Sequence, residues 1–129
     1  MHPNERLVRD TYDAMARGDG RAIAAVLGPS TRWVIRGEGS LAGTYTGPDE
    51  IFAFWKQVAA KTAGGLNLEL QDVLANDHRA VALVTVRGSR AGRELDEQQV
   101  ALFEIAEGTF SSATFIYERP EAYDAFWID

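Results

Sequence analysis

The feature that most constrains the fold is a series of four long β-strand patterns in the second half of the chain. They span residues 66–75, 79–88, 94–106 and 109–118, are rich in Val, Leu, Ile, Phe and Thr, and are joined by short turns. The first half instead has mostly helical patterns. Helices followed by an antiparallel meander predict an α+β fold, a cone-shaped barrel in which one curved antiparallel sheet wraps around the N-terminal helices. Because such a shape encloses a central pocket, the chain is expected to bind a small molecule.

The N-terminal segment is predicted to form two helices. Asn4 is a suitable cap for a helix that runs to about Arg17, and Asp19 is a suitable cap for a short second helix. Gly18 between them favours the left-handed backbone conformation that ends a helix. Gly28-Pro29 is expected to end the second helix.

A strand over residues 31–36 is predicted next, with Trp33 and Ile35 on the same side because side chains alternate along a strand. After a glycine-rich loop, Pro48 suits the first turn of a third helix. That helix has a strongly apolar face and is expected to end at Gly64-Gly65. A terminal turn or short helix is predicted from Pro120.

The length of 129 residues predicts a single domain over residues 1–129 that buries one core without disulfides. The chain has no cysteine, which excludes disulfides and thiolate metal sites. His2 and His78 have no second imidazole or carboxylate at ligand spacing, so we predict no metal site. We also predict no cofactor.

The charge balance argues against nucleic acid as a partner. The chain has 13 basic and 19 acidic residues, and its net charge of −6 would repel a phosphate backbone. No apolar run approaches the length that crosses a membrane, and the N-terminus lacks the basic-then-apolar layout of a targeting segment. We therefore expect a cytoplasmic protein that binds neither membranes nor nucleic acids.

The strand over residues 94–106 is apolar on both of its faces. One set of alternating positions contains Ala101, Phe103 and Ile105, and the other contains Val100 and Leu102. Both faces of the sheet therefore need cover, and the helices can cover only one. A twofold partner is the simplest cover for the other face, which predicts a homodimer.

The order of several short motifs resembles the nuclear transport factor 2-like superfamily, in its small bacterial SnoaL-like and ketosteroid isomerase-like branch. The resemblance covers nearly the whole chain and implies the same α+β barrel. Its motifs are Tyr12 to Asp19, Trp33, Gly43 to Gly47 leading into Ile51 to Phe54, Glu107-Gly108, and Tyr123 to Trp127.

The resemblance also permits a comparison of catalytic positions. The three ketosteroid isomerase positions fall on Thr11, Ile35 and Ala101, and none of these residues can perform the acid–base chemistry of that family. Epoxide hydrolases of this fold would need a carboxylate near Phe115. SnoaL-type cyclases need only one pocket carboxylate, and Glu97 has the inward orientation, although a solvated position near the start of its strand is expected.

The predicted pocket residues combine aromatic and aliphatic walls with a few polar groups. Tyr12 could donate to a ligand oxygen or be an ordinary core aromatic, and the Gln99 amide needs a partner from either the fold or a ligand. The predicted ligand-binding residues are Tyr12, Trp33, Ile35, Trp55, Gln99, Ala101, Phe115 and Tyr117.

Three functions remain open at the level of sequence. The first is binding of a small hydrophobic molecule in an apolar pocket. The alternative is a cyclase- or isomerase-type enzyme acting on a small oxygenated hydrophobic substrate, with Tyr12 polarising a carbonyl while Glu97 moves the proton. A third is a pure interaction subunit whose cavity is filled by its own side chains. An apolar wall with few polar groups is typical of ligand pockets and favours the first two.

Overall fold

The computed structural model describes all residues 1–129 and contains four helices and six strands. The helices are α1 (Pro3–Arg17), α2 (Gly20–Ala24), α3 (Gly47–Lys61) and α4 (Pro120–Phe126). The strands are β1 (Leu27–Ile35), β2 (Gly43–Thr46), β3 (Asn67–Ala75), β4 (Arg79–Arg90), β5 (Arg93–Ala106) and β6 (Thr109–Tyr117).

The strands form one curved sheet in the order β2-β1-β6-β5-β4-β3. Strands β3 to β6 form the predicted antiparallel meander, and β1 pairs parallel to β6 on its far side. The predicted α+β fold with helices against a curved sheet is therefore confirmed. The sheet is open, however, because its edge strands β2 and β3 do not pair with each other.

Three predicted boundaries in the first half are wrong. The α1 N-terminus is capped by His2, whose Nδ1 accepts from the Asn4 backbone N–H at 3.0 Å. Helix α2 ends at Ala24, and β1 already begins at Leu27, so Gly28-Pro29 lies inside the strand. Pro29 is tolerated there because the pairing of β1 with β6 is irregular between Leu27 and Arg32.

The third of these boundaries is the end of α3. The helix stops at Lys61, before the two glycines, and Thr62 follows with extended backbone angles. The Thr62 hydroxyl donates to the carbonyl oxygen of Val58 at 2.7 Å and so satisfies one carbonyl of the last turn. At the end of α1, by contrast, Gly18 has a φ of 68° and ends the helix as predicted.

The core lies on the concave side of the sheet, where aromatic rings surround Phe103 on β5. Phe103 is 1% exposed. Its ring centroid lies 4.9 Å from that of Phe110 and between 6.2 and 6.4 Å from those of Tyr12, Trp33 and Phe115. These rings fill the deep end of the space between the sheet and the helices.

The convex side of the sheet carries an uncovered apolar band. Leu83, Val100 and Ile116 are direct neighbours across β4, β5 and β6 and are 37%, 37% and 44% exposed. Leu74 at the β3 edge is 59% exposed. These strands are therefore apolar on both faces: the concave face is buried in the core, and the helices leave the convex face uncovered.

Helix α4 closes one end of the concave side. Tyr123, Phe126 and Trp127 are buried, and the Tyr123 ring stacks on Tyr117 with centroids 3.6 Å apart. Beyond the helix, Arg90 donates to the carbonyl oxygens of Phe126 at 3.0 Å and Ile128 at 2.9 Å. The chain after the meander thus folds back over the sheet.

No helix of the protein combines the length and apolar character needed to cross a membrane.

Candidate ligand-binding site

A small cavity of about 20 Å³ lies between the sheet and helices α1, α3 and α4. It has room for about one water-sized group. The structure brings seven of the eight predicted site residues to its wall, and Ala101 is the exception because it is fully buried in the core. The seven are Tyr12, Trp33, Ile35, Trp55, Gln99, Phe115 and Tyr117.

A larger groove of about 540 Å³ opens from this cavity toward the surface, between α1, α2, α3 and the start of β3. Its wall contains no Asp, Glu, Lys or Arg side chain. The cavity and the groove share six residues, which form the passage between them: Tyr12, Met15, Trp55, Val58, Leu66 and Leu68.

Sequence reasoning missed the outer part of this groove. Its wall there is built from helix and loop residues: Ala16, Gly18, Gly20, Ile23, Phe52, Ala59, Gly65 and Asn67. The signal available in the sequence was the pair of large apolar residues Ile23 and Phe52, which the structure leaves half-buried.

The hydroxyl groups in the cavity wall are held in their neutral form. Burial raises the pKa of Tyr12 above its ordinary value. Burial, with a further contribution from neighbouring Tyr123, also raises the pKa of Tyr117. The Gln99 Nε2 donates to the Tyr117 hydroxyl oxygen at 2.6 Å, which satisfies part of this buried amide within the fold. The wall therefore presents uncharged phenol and amide groups.

Trp33 carries the one buried hydrogen-bond donor of the cavity wall that lacks a partner. Its side chain projects inward from β1, is 3% exposed, and packs against Phe115 with ring centroids 5.0 Å apart. Its indole Nε1–H is buried without a hydrogen-bond acceptor. Such an unpaired donor costs about 1–3 kcal/mol.

Glu97 is buried, and the expectation that it is solvated is wrong. Its residue exposure is 3%, and Arg119, which follows β6, forms an ion pair with it. The Arg119 Nε donates to Glu97 Oε2 at 3.2 Å, whereas Oε1, 3.0 Å from the same nitrogen, accepts no well-aligned hydrogen bond. Glu97 lines neither the cavity nor the groove.

None of the three positions compared with ketosteroid isomerases holds an acid or a base. The Thr11 hydroxyl donates to the Leu7 carbonyl oxygen at 2.7 Å within α1, and Ala101 is wholly buried. Ile35 contributes an aliphatic part of the cavity wall. No group of three or more His, Asp or Glu side chains converges in a way that would hold a metal ion.

The family of this chain is shown by a sequence model that covers most of its length. The sequence model of the SnoaL-like domain matches residues 8–113. An uncharacterised protein of Mycobacterium tuberculosis strain H37Rv is 34% identical over 122 residues, which are 94% of this chain and 93% of that protein.

Two solved structures have the same fold. Bal32a, from a soil-derived mobile gene cassette, has a TM-score of 0.91 at 26% identity, over 97% of this chain and 96% of that one. A nuclear transport factor 2-like protein of unknown function from Burkholderia pseudomallei K96243 has a TM-score of 0.87 at 24% identity, over 100% of both chains.

Proposed function

Because this chain belongs to the SnoaL-like domain family, we propose that it binds a small, uncharged and mostly apolar molecule in the groove between α1, α2, α3 and β3. The observation that carries the proposal is the composition of the groove wall, which has no charged side chain over a volume of about 540 Å³. This volume falls within the range of small-molecule sites, about 300–1,000 Å³. A charged ligand would lose its hydration there without gaining a counter-ion.

The position of the groove also supports the proposal. The shared wall of Tyr12, Trp55 and Leu66 connects it to the inner cavity, whose wall includes the polar residues Gln99 and Tyr117. An apolar groove that ends in a few polar groups gives a ligand both burial and a fixed orientation. The body of the ligand would lie in the groove and one polar end would reach inward.

An arginine placed in the groove should weaken this binding. Ala59 lines the groove from α3, so Ala59→Arg brings a charge into the apolar contact and should weaken binding of a neutral probe by about tenfold or more. Fluorescence titration with N-phenyl-1-naphthylamine measures the dissociation constant.

The neighbouring residue provides a matched control. Ala60 is also exposed on α3 but lines neither the groove nor the cavity, so Ala60→Arg should leave the dissociation constant within about twofold of the unmodified protein. Equal affinity in both variants would place the probe elsewhere on the protein and contradict the proposed site.

We further propose that the protein forms a homodimer through the convex face of its sheet. The row of Leu83, Val100 and Ile116 is an apolar centre of the kind that protein interfaces bury. Charges of both signs flank this row, with the Arg79–Glu104 pair on one side and the Arg87–Asp96 pair on the other. A second copy matches such a face without net repulsion, and a twofold axis through it leaves the groove open.

The alternative function is catalysis of the cyclase or isomerase type, and the buried carboxylate of Glu97 favours it. One oxygen of that carboxylate accepts no well-aligned hydrogen bond, and Glu97 projects to the same side of β5 as the cavity residue Gln99. If Glu97 moves a proton, Glu97→Gln should reduce turnover of an identified substrate by a factor of about 100 or more. Unchanged turnover in a correctly folded variant would remove Glu97 from the chemistry.

A further inference from the structure

We propose that Leu66 limits how far a ligand extends from the groove toward the inner cavity, and that Gly88 positions Leu66 by leaving space for its side chain. Leu66 is then the residue that determines which ligand length the protein prefers. The inference rests on the proposed function, because it concerns the inner end of the same groove. It adds a length limit for the ligand and a positioning role for Gly88, which itself lines neither the groove nor the cavity.

Leu66 lies in the passage between the two spaces, since it is one of the six residues that line both of them. It is half-buried and belongs to the short linker between α3 and β3. The other five passage residues lie on α1, α3 or β3, so Leu66 is the only one of the six outside a helix or strand. It is therefore the part of the passage wall that can move most easily.

The linker that carries Leu66 is fastened to β4 ahead of this residue, where the Ala63 N–H donates to the Ser89 carbonyl oxygen at 2.9 Å. Gly64 and Gly65 follow with φ of 80° and 82°, a conformation that glycine adopts at little cost. No backbone hydrogen bond outside the helices and strands involves Gly64, Gly65 or Leu66. The position of Leu66 therefore depends on how its side chain packs.

Gly88 on β4 provides the surface against which Leu66 packs. Along β4, position 88 alternates in phase with Val84 and Val86, which are fully buried on the concave side. A Cβ at position 88 would lie 2.6 Å from Leu66 Cδ2, whereas carbon atoms in good contact are about 3.5–4.0 Å apart. The Leu66 side chain thus occupies the space that any larger residue at position 88 would need.

A methyl group at position 88 should displace Leu66 toward the helices, because β4 blocks movement in the opposite direction. The closest atom is the end of a flexible side chain, so we expect Gly88→Ala to fold. The displaced Leu66 narrows the passage, which Trp55 and Val58 bound from α3. Leu66→Ala shortens the side chain and widens the same passage. The two substitutions are therefore expected to have opposite effects on ligand length.

The experiment measures how straight-chain primary alcohols, from hexanol to dodecanol, displace N-phenyl-1-naphthylamine from the protein. Each methylene group that becomes buried should tighten binding about fourfold, up to a cut-off length beyond which affinity no longer rises. We expect this cut-off to lengthen by about two carbons in Leu66→Ala and to shorten by about one or two carbons in Gly88→Ala.

Gly28→Ala is the matched control for Gly88→Ala. Gly28 also lies on a strand, but it lines neither the groove nor the cavity, and a Cβ there would meet its nearest neighbours at ordinary distances of 3.7 and 3.8 Å. The cut-off length should therefore be the same in Gly28→Ala as in the unmodified protein. A cut-off that shortens equally in the two glycine variants would overturn the positioning role of Gly88.

A double variant tests whether Gly88 acts through Leu66. With alanine at position 66 there is no Cδ2 atom to displace, so adding Gly88→Ala should leave the cut-off at the value of Leu66→Ala alone. A shortening of the same size in both backgrounds would show that Gly88 acts by another route and would overturn its positioning role.

The outcomes separate this inference from the proposed function. If the alcohols displace the probe with the same cut-off in Leu66→Ala as in the unmodified protein, the length limit at Leu66 is wrong and groove binding stands. This comparison does not depend on Gly88→Ala folding. If neither the probe nor any alcohol binds, the proposed function fails, and the length limit fails with it.

Discussion

Val100→Arg is expected to convert the protein from a dimer to a monomer. Val100 lies between Leu83 and Ile116 in the middle of the exposed apolar row. In a twofold interface each substitution introduces two arginines, and a buried unpaired charge costs several kcal/mol. The dimer dissociation constant should therefore rise by about 100-fold or more, since 1.4 kcal/mol corresponds to a factor of ten.

Sedimentation velocity over a concentration series measures this change, with Glu94→Arg as the control. Glu94 is exposed near the start of the same strand, outside the apolar row, so its substitution should leave the dimer intact. A Val100→Arg protein that remains a dimer would show that the interface lies on another face. A monomeric unmodified protein would contradict the dimer itself.

Phe103→Ala is expected to lower the free energy of unfolding by about 3–5 kcal/mol, as is typical of a large aromatic residue removed from a packed core. Phe103 is 1% exposed and has ring neighbours on α1, β1 and β6. The loss would be a large fraction of the total stability, which is about 5–15 kcal/mol for a native protein. Urea denaturation measures it.

Ile128→Ala is the comparison for this change. It also shortens an apolar side chain, but Ile128 is 57% exposed, so the free energy of unfolding should change by no more than about 0.5 kcal/mol. Equal losses in the two variants would contradict the assignment of Phe103 to the centre of the core. A folded Phe103→Ala protein should also have a deeper inner cavity, because the Phe103 ring packs behind the wall residues Trp33 and Phe115.

The meander was predictable from sequence because its signals are local. Alternation of apolar residues and short turns place the β4 to β6 strands within about two residues of their observed ends. The buried side of each strand follows from the same alternation, which brought Trp33, Gln99 and Phe115 to one wall. The alternation of side chains along each strand sets the face on which these residues lie, independently of how the helices pack.

The errors arose where distant segments decide the outcome. Glu97 is buried and pairs with Arg119, 22 residues away, and neither fact can be derived from its position near the start of a strand. The irregular pairing of β1 made room for Pro29 inside a strand. The groove depends on how three helices pack beside β3, so its outer wall could not be derived from the periodicity of any one segment.

The most direct test of the central claim is to map fragment binding by two-dimensional NMR. A set of neutral apolar fragments and a size-matched set of carboxylates are titrated separately into the protein. We expect neutral fragments to shift the resonances of the passage residues Tyr12, Trp55 and Leu66, and we expect carboxylates to leave them unchanged. Neutral fragments that leave these resonances unchanged, or carboxylates that shift them equally, would contradict binding of an uncharged ligand in this groove.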